Sequence, residues 1–202
     1  DTVVRAYDFS GKRLWQTDVG KFYNQHGHGC GTSPIVWKDT VIVASQHDGP
    51  SVIAGLDAAT GKVRWRSERK VRLTAHSTPV ILEREGKTPQ LFTSNTGDGL
   101  ASFDPRNGKL LWRANLFNSR AVNSPVIAGG NIYMSNELGT TFVFKASPTK
   151  YIELGRNSLG NEIFSTPSIC GGRVYVRVAH LSAGQRREVL YCIGDKTTAS
   201  RR

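Results

Sequence analysis

The chain has 202 residues, of which 38% are hydrophobic, and it carries a formal net charge of +11. It is long enough to bury a sizeable core. Because it contains no run of about 20 apolar residues, the sequence excludes a protein that crosses the bilayer as a helix.

The basic residues are spread along the chain. There are 27 Lys and Arg against 16 Asp and Glu, an excess that permits attraction to nucleic acid, anionic surfaces or acidic polymers. They occur singly or in pairs, however, and no motif of an RNA- or DNA-binding domain accompanies them. We therefore predict a solvated basic surface and no specific nucleic-acid binding.

One short motif recurs three times along the chain. Each copy has an Asp, a turn, a Gly-Lys pair and a Trp that lies four residues after the Gly. The copies are YDFSGKRLW (7–15), LDAATGKVRW (56–65) and FDPRNGKLLW (103–112). Spacing of this size is typical of a repeat architecture.

A second landmark alternates with the first. A hydroxyl residue followed by Pro opens a β-rich run at TSPIV (32–36), STPVI (77–81), NSPVI (123–127) and STPSI (165–169). Two further runs of β-branched and aromatic residues follow each of these, and the Trp motif supplies a fourth. Four short strands per unit, separated by Gly, Asn and Asp turns, predict an all-β fold, a β-propeller of four-stranded blades.

The motif residues have structural roles in this reading. The Asp accepts hydrogen bonds from turn amides, the Gly supplies a positive φ in the hairpin, and the Trp packs against the neighbouring unit. These structural residues are Asp8, Gly11, Trp15, Asp57, Gly61, Trp65, Asp104, Gly108 and Trp112.

The units give about four to five blades in an incomplete ring over 1–202. Fuller blades are predicted at about 32–68, 77–116 and 123–155, with blade remnants at 1–20 and 165–194. FKASPTKYIEL (144–154) lacks the Asp, Gly and Trp, so we predict an irregular outer strand there. Because the chain starts inside a repeat, we expect the remaining blades and any export signal to lie upstream of Asp1.

Three cysteines carry no recognisable site. Cys30, Cys170 and Cys192 form neither a CxxC pair nor a disulfide framework. We predict that Cys170 and Cys192 are buried free thiols in strands, since a small apolar Cys suits a strand core. Their pairing stays open.

The motif LDAATGKVRW (56–65) resembles the repeat of pyrroloquinoline-quinone (PQQ)-like propellers, whose pattern is Ala-x-Asp-x-x-Thr-Gly-x-x-x-Trp. Essentially the whole chain is covered by such units. The resemblance implies a propeller of about eight blades and an exported, periplasmic or secreted protein. It implies no particular cofactor, because proteins with these repeats include both scaffolds and quinoprotein dehydrogenases.

Propeller geometry, taken from the resemblance, gathers polar residues at one mouth of the central channel. The candidate binding residues of this channel face are Gln46, His47, His76, Asn95, Asn123, Asn136 and Glu137, with Gln25 and His180 beside them. The segment QHGHGCG (25–31) adds a weak metal candidate, in which His26, His28 and Cys30 could converge on a soft ion. It lacks the paired spacing of zinc sites.

The leading functional hypothesis is a non-catalytic, exported propeller that binds a protein, peptide or polymer on the channel face. The alternative is a PQQ-dependent quinoprotein dehydrogenase whose site is completed by missing blades. The enzymes of this class use calcium, an Asp base and often an adjacent Cys pair, and the Cys pair is absent from this chain. We therefore predict no cofactor, and PQQ with calcium only under the alternative.

Overall fold

A computed structural model describes residues 2–23, 27, 29–69, 74–95, 99–116 and 123–194. In this part of the chain the regular structure is entirely β. The strands are β1 (Val3–Tyr7), β2 (Arg13–Asp18), β3 (Ile35–Trp37), β4 (Thr40–Ser45), β5 (Ser51–Asp57), β6 (Val63–Arg69), β7 (Val80–Leu82), β8 (Gln90–Asn95), β9 (Gly99–Phe103), β10 (Leu110–Ala114), β11 (Val126–Ala128), β12 (Asn131–Ser135), β13 (Thr140–Lys145), β14 (Ile152–Ser158), β15 (Ser168–Cys170), β16 (Arg173–Ser182) and β17 (Gln185–Gly194).

The strands form five antiparallel sheets among the described residues, and each sheet is an up-and-down meander. Blade 1 consists of β1–β2, blade 2 of β3–β6, blade 3 of β7–β10, blade 4 of β11–β14 and blade 5 of β15–β17. In blades 2 to 4 the three-residue first strand is one edge of the sheet, and the fourth strand is the other edge.

The hairpin that carries the Asp-Gly-Trp motif has the same construction in blades 1 to 3. Asp57 Oδ1 accepts the amides of Ala59 and Thr60 at 3.1 and 2.8 Å. Gly61 then turns the chain with φ +71°, a conformation that a side chain disfavours. A register shift follows between Gly55 and Leu56, as expected of a bulged hairpin.

The Trp of the first two motifs packs on the Gly of the next blade. The Trp15 indole N–H donates to Ala58 O at 2.9 Å, and a Cβ built on Gly61 would lie 2.5 Å from Trp15 Cε3. Trp65 occupies the same place over Gly108 of blade 3, where a Cβ would overlap its ring. Adjacent blades are therefore interlocked by an indole that only glycine accommodates.

The hydrophobic core lies between the sheets. One cluster joins Ile53 and Trp65 of blade 2 to Phe103 of blade 3, and all three are buried. Similar clusters join blades 1 and 2 and blades 3 and 4, and a smaller one packs Leu159 and Ile163 of the connection after β14 against blade 5. Burial of side chains such as Phe103 stabilises each interface by roughly 1.5–3 kcal/mol per residue, so each blade depends on its neighbours.

A chain of hydrogen bonds also crosses all three interfaces between blades 2 and 5. The amide of Ser33 donates to Thr78 Oγ1 at 3.2 Å, and the amide of Thr78 donates to Ser124 Oγ at 2.9 Å. The amide of Ser124 donates to Thr166 Oγ1 at 3.1 Å. Each of these residues immediately precedes the Pro of its unit, so the hydroxyl of the repeated Ser/Thr-Pro is an interblade acceptor.

The outer strand of blade 4 forms although its hairpin lacks the motif. β14 (Ile152–Ser158) is a seven-residue strand, and its pairing with β13 carries an irregularity, a register shift between Val143 and Phe144. The carbonyl of Ser147 accepts the Trp112 indole N–H at 2.6 Å, and Tyr151 packs against Trp112 and Phe144 with ring centroids 6.3 and 5.3 Å apart. These contacts replace those of the missing Asp and Gly.

The cysteines correct the expectation of buried thiols. Cys170 and Cys192 are exposed free thiols, and Cys30 is also exposed and free. Cys170 lies on β15, an edge strand, and Cys192 lies on β17, the other edge of the same sheet. In the described chain these edges carry no further strand, and both cysteines are exposed.

Candidate functional site

The meander topology collects the predicted site residues at one end of the blades. In an antiparallel four-stranded sheet, the loop between the second and third strands lies at the same end as the connections between sheets. Backbone hydrogen bonds join these loops to the connections: Ala75 N donates to Gln46 O at 3.2 Å, and Ile163 N donates to Glu137 O at 3.2 Å. We call this the loop end, and the end with the other hairpins the turn end.

Gln46 is buried at the interface between blades 2 and 3. Its side-chain amide donates to Thr93 Oγ1 at 2.8 Å, and its Oε1 accepts a hydrogen bond from Arg69 Nη1 at 2.6 Å. The Arg69 guanidinium is 8% exposed and lies 5.3 Å from the ring centroid of Phe103. The contacts are those of a buried polar bridge between two blades, in which the arginine's charge is partly compensated by an aromatic face.

His47 is buried beside Gln46 and anchors the preceding connection. Its Nδ1 accepts the amides of Gly49 and Tyr23 at 3.0 and 3.3 Å, and Phe22 packs against the ring at 4.9 Å between centroids. Desolvation lowers the pKa of His47, although the charge of Asp48 acts in the opposite direction. Because Nδ1 accepts two N–H groups, the neutral ring protonated on Nε2 suits this position.

The two asparagines of blade 4 also lie inside the structure. Asn136 Oδ1 accepts the amides of Leu138 and Thr140 at 3.1 and 2.9 Å, which closes the loop between β12 and β13. Asn123 is 2% exposed, and its Oδ1 accepts the amide of Ser135 at 3.1 Å. These contacts account for both carbonyl oxygens without a ligand.

The remaining candidates are partly exposed or lie outside the described residues. The His76 ring packs over Gly31, Glu137 is half-buried, and the Nε2 of His180 is 2.9 Å from the hydroxyl of Tyr191. Asn95 ends β8, and its side chain lies outside the described part. Gln25, His26 and His28 also lie outside it.

The described residues do not bring together a metal-binding set. Among them, no group of three or more His, Cys, Asp or Glu side chains is placed to hold a metal ion. The Glu162 carboxylate pairs with Arg186, and Asp57 pairs with Arg64, which holds the pKa of Asp57 down to about 2. Each of these two carboxylates therefore already has a cationic partner.

Comparisons with known proteins place the chain in a family. A family model described as outer membrane protein assembly factor BamB matches residues 1–85 and 97–198. The chain belongs to this family. Its sequence is also similar to outer membrane protein assembly factor BamB from Legionella pneumophila (strain Paris), at 20% identity over 181 residues, which is 83% of this chain and 41% of the relative.

Solved structures share the fold. BamB from Moraxella catarrhalis superposes with a TM-score of 0.61 at 14% identity, covering 92% of this chain and 54% of that one. Quinohemoprotein alcohol dehydrogenase from Comamonas testosteroni gives 0.58 at 16% identity, over 93% of this chain and 36% of that one. The chain thus spans about half or less of the length of these relatives.

These matches confirm the PQQ-like β-propeller and its all-β, four-stranded blades. The ring of blades is not closed in this chain. Within the described ranges, the structure has no helix with the length and hydrophobicity needed to span a bilayer.

Two features of the site escaped the sequence analysis. Arg69 appears in the sequence as one more scattered basic residue, yet it is buried against Gln46. The hydroxyls of Thr78 and Ser124 appear only as part of a strand-start pattern, yet they join blades. Their position directly before Pro in every unit is the signal that could have identified them.

Proposed function

We propose that this chain is part of a non-catalytic propeller that acts as a binding scaffold for proteins in outer membrane protein assembly. The observation that carries the proposal is the family match, which extends over 1–85 and 97–198. By this proposal the protein works in the periplasm, binds a protein partner and needs no cofactor.

The chemistry of the loop end supports a scaffold. A catalyst on the channel face would need polar side chains that are free to contact a substrate. The side chains of Gln46, His47 and Asn136 are instead engaged in hydrogen bonds that hold loops or blades together. Polar groups that are already held by hydrogen bonds suit the presentation of a binding surface, because a preorganised surface loses less entropy when a partner binds.

The test uses the complete natural protein that contains this chain, expressed with its native export signal. We expect in-cell crosslinking, followed by purification from the envelope fraction, to recover proteins of the outer membrane assembly machinery. Recovery only from the cytoplasm, or envelope crosslinks to unrelated proteins alone, would contradict the proposal.

A second measurement separates the scaffold from the dehydrogenase alternative. The purified protein is incubated with PQQ and Ca²⁺ and assayed for dye reduction with alcohols and sugars. We expect no turnover above a heat-denatured control. Sustained, calcium-dependent turnover would show that blades outside this chain complete an enzyme site, and the scaffold proposal would then be wrong.

A further inference from the structure

The repeat places one lysine on the outer hairpin of four consecutive blades. In blades 1 to 3 this lysine follows the motif glycine, and in blade 4 it follows Thr149 in the hairpin between β13 and β14. All four side chains are exposed at the turn end, opposite the connections between sheets. We call the set the lysine arc, and its members are Lys12, Lys62, Lys109 and Lys150.

The carboxylates of the same hairpins make their hydrogen bonds and close ion pairs with groups other than the lysine side chains, although Arg106 and, after it, the charge of Lys109 lower the pKa of Asp104. The carboxylate of Asp57 accepts turn amides and pairs with Arg64 at 2.6 Å, and that of Asp104 pairs with Arg106 at 2.5 Å. Asp8 accepts the amides of Ser10 and Lys12, both at 2.9 Å. None of the four ammonium groups forms a salt bridge with a residue in the described part of the chain.

Apolar side chains accompany two lysines of the arc. Val63 follows Lys62 and is 50% exposed, and Leu110 follows Lys109 and is 45% exposed. Blades 2 and 3 have a neighbouring sheet on both sides, so this exposure is a property of the outer strand itself. The turn end therefore presents cations and apolar groups side by side.

The geometry points to an anionic bilayer surface as the partner of the lysine arc, and we propose that the turn end docks on such a surface. One charge per blade spreads the ammonium groups over several blades and does not gather them into a pocket, which suits an extended field of headgroups. Lysine acts as a flexible point charge, whereas recognition of a single carboxylate or phosphate favours the bidentate fork of arginine. Exposed Val63 and Leu110 add the shallow apolar contact typical of interfacial binding.

The test is co-sedimentation of the full chain with vesicles of equal parts phosphatidylglycerol and phosphatidylcholine. Each lysine near an anionic surface strengthens binding about fivefold, so the double variant Lys62→Gln with Lys109→Gln should bind about 30-fold more weakly. The matched control is Lys21→Gln with Arg187→Gln, which removes the same charge from exposed residues at the loop end. We expect the control to bind within about twofold of the unmodified chain.

Salt and lipid composition complete the experiment. Binding should fall steeply at about 0.5 M salt, because screening shortens the range of the attraction, and vesicles of phosphatidylcholine alone should bind weakly. Circular dichroism and thermal melting show whether the variants remain folded. If the chain does not bind the anionic vesicles, the proposal is overturned, and an acidic protein surface would be left as the partner. Equal losses of vesicle binding in the two double variants would also overturn it.

Discussion

The contact between the motif Trp and the glycine of the next blade makes the clearest prediction. Gly108 has φ +71° and lies under the Trp65 ring. Gly11 has φ +84°, and no atom of the described residues lies within 4 Å of the place that an alanine Cβ would take there. An alanine at either position meets the left-handed backbone penalty of about 1–2 kcal/mol. Only Gly108→Ala must also displace the indole, and overpacking of this kind costs about 1–3 kcal/mol.

We therefore expect Gly108→Ala to destabilise the chain by about 2–5 kcal/mol and Gly11→Ala by about 1–2 kcal/mol. The loss of unfolded-state entropy on replacing glycine is the same in both variants and cancels in the comparison. With a urea m-value of about 2 kcal/mol/M, a difference of about 2 kcal/mol separates the two midpoints by about 1 M.

The assay is urea unfolding followed by tryptophan fluorescence, with Gly61→Ala as a second packed position beneath Trp15. Gly61→Ala and Gly108→Ala should resemble each other and differ from Gly11→Ala. Equal midpoints for Gly11→Ala and Gly108→Ala would refute the interlock, because the backbone penalty alone would then explain both.

Three further predictions follow from the other contacts. Thr78→Val leaves the Ser33 amide without its acceptor and should cost about 1–3 kcal/mol in urea unfolding, whereas Thr78→Ser keeps the hydroxyl and should cost clearly less. The pKa of His47 is lowered in the folded state, so the contribution of its neutral ring to stability is complete above pH 6.5 and is lost as the pH falls through the pKa of the folded state. The free energy of unfolding, measured from about pH 8 to about pH 5, should show this loss. The variant His47→Asn should show a smaller dependence on pH. Titration of the native chain with a thiol reagent should detect three accessible thiols, and a single slow-reacting thiol would contradict their exposure.

The sequence predicts the blades well because their determinants are local. One ten-residue motif predicts the Asp turn, the positive φ of Gly61 and the burial of Trp65, because each of these features depends on residue types within the motif. The outer strand of blade 4 does not follow from its own segment, because its hairpin is supported by Trp112 of another blade, whose indole N–H donates to the carbonyl of Ser147, a residue outside the motif.

The surroundings of the loop-end residues are harder to predict, because their contacts come from distant parts of the sequence. The hydrogen-bond partner of Gln46 is Thr93, 47 positions away, and the burial of Arg69 depends on Phe103 in the next blade. In the sequence, a polar residue near the end of a strand looks the same whether its side chain faces a channel or bridges two sheets.

The hydrogen bonds before the prolines have a direction, and this has an evolutionary consequence. Blades 3 and 4 each offer an amide to one neighbour and a hydroxyl to the other, blade 2 supplies the first amide and blade 5 the last hydroxyl, so these units meet through the same pair of complementary groups. A duplicated or deleted unit would meet its new neighbours through an identical junction. Gene duplication can therefore change the number of blades without the redesign of any interface, as long as each unit keeps its hydroxyl and its glycine.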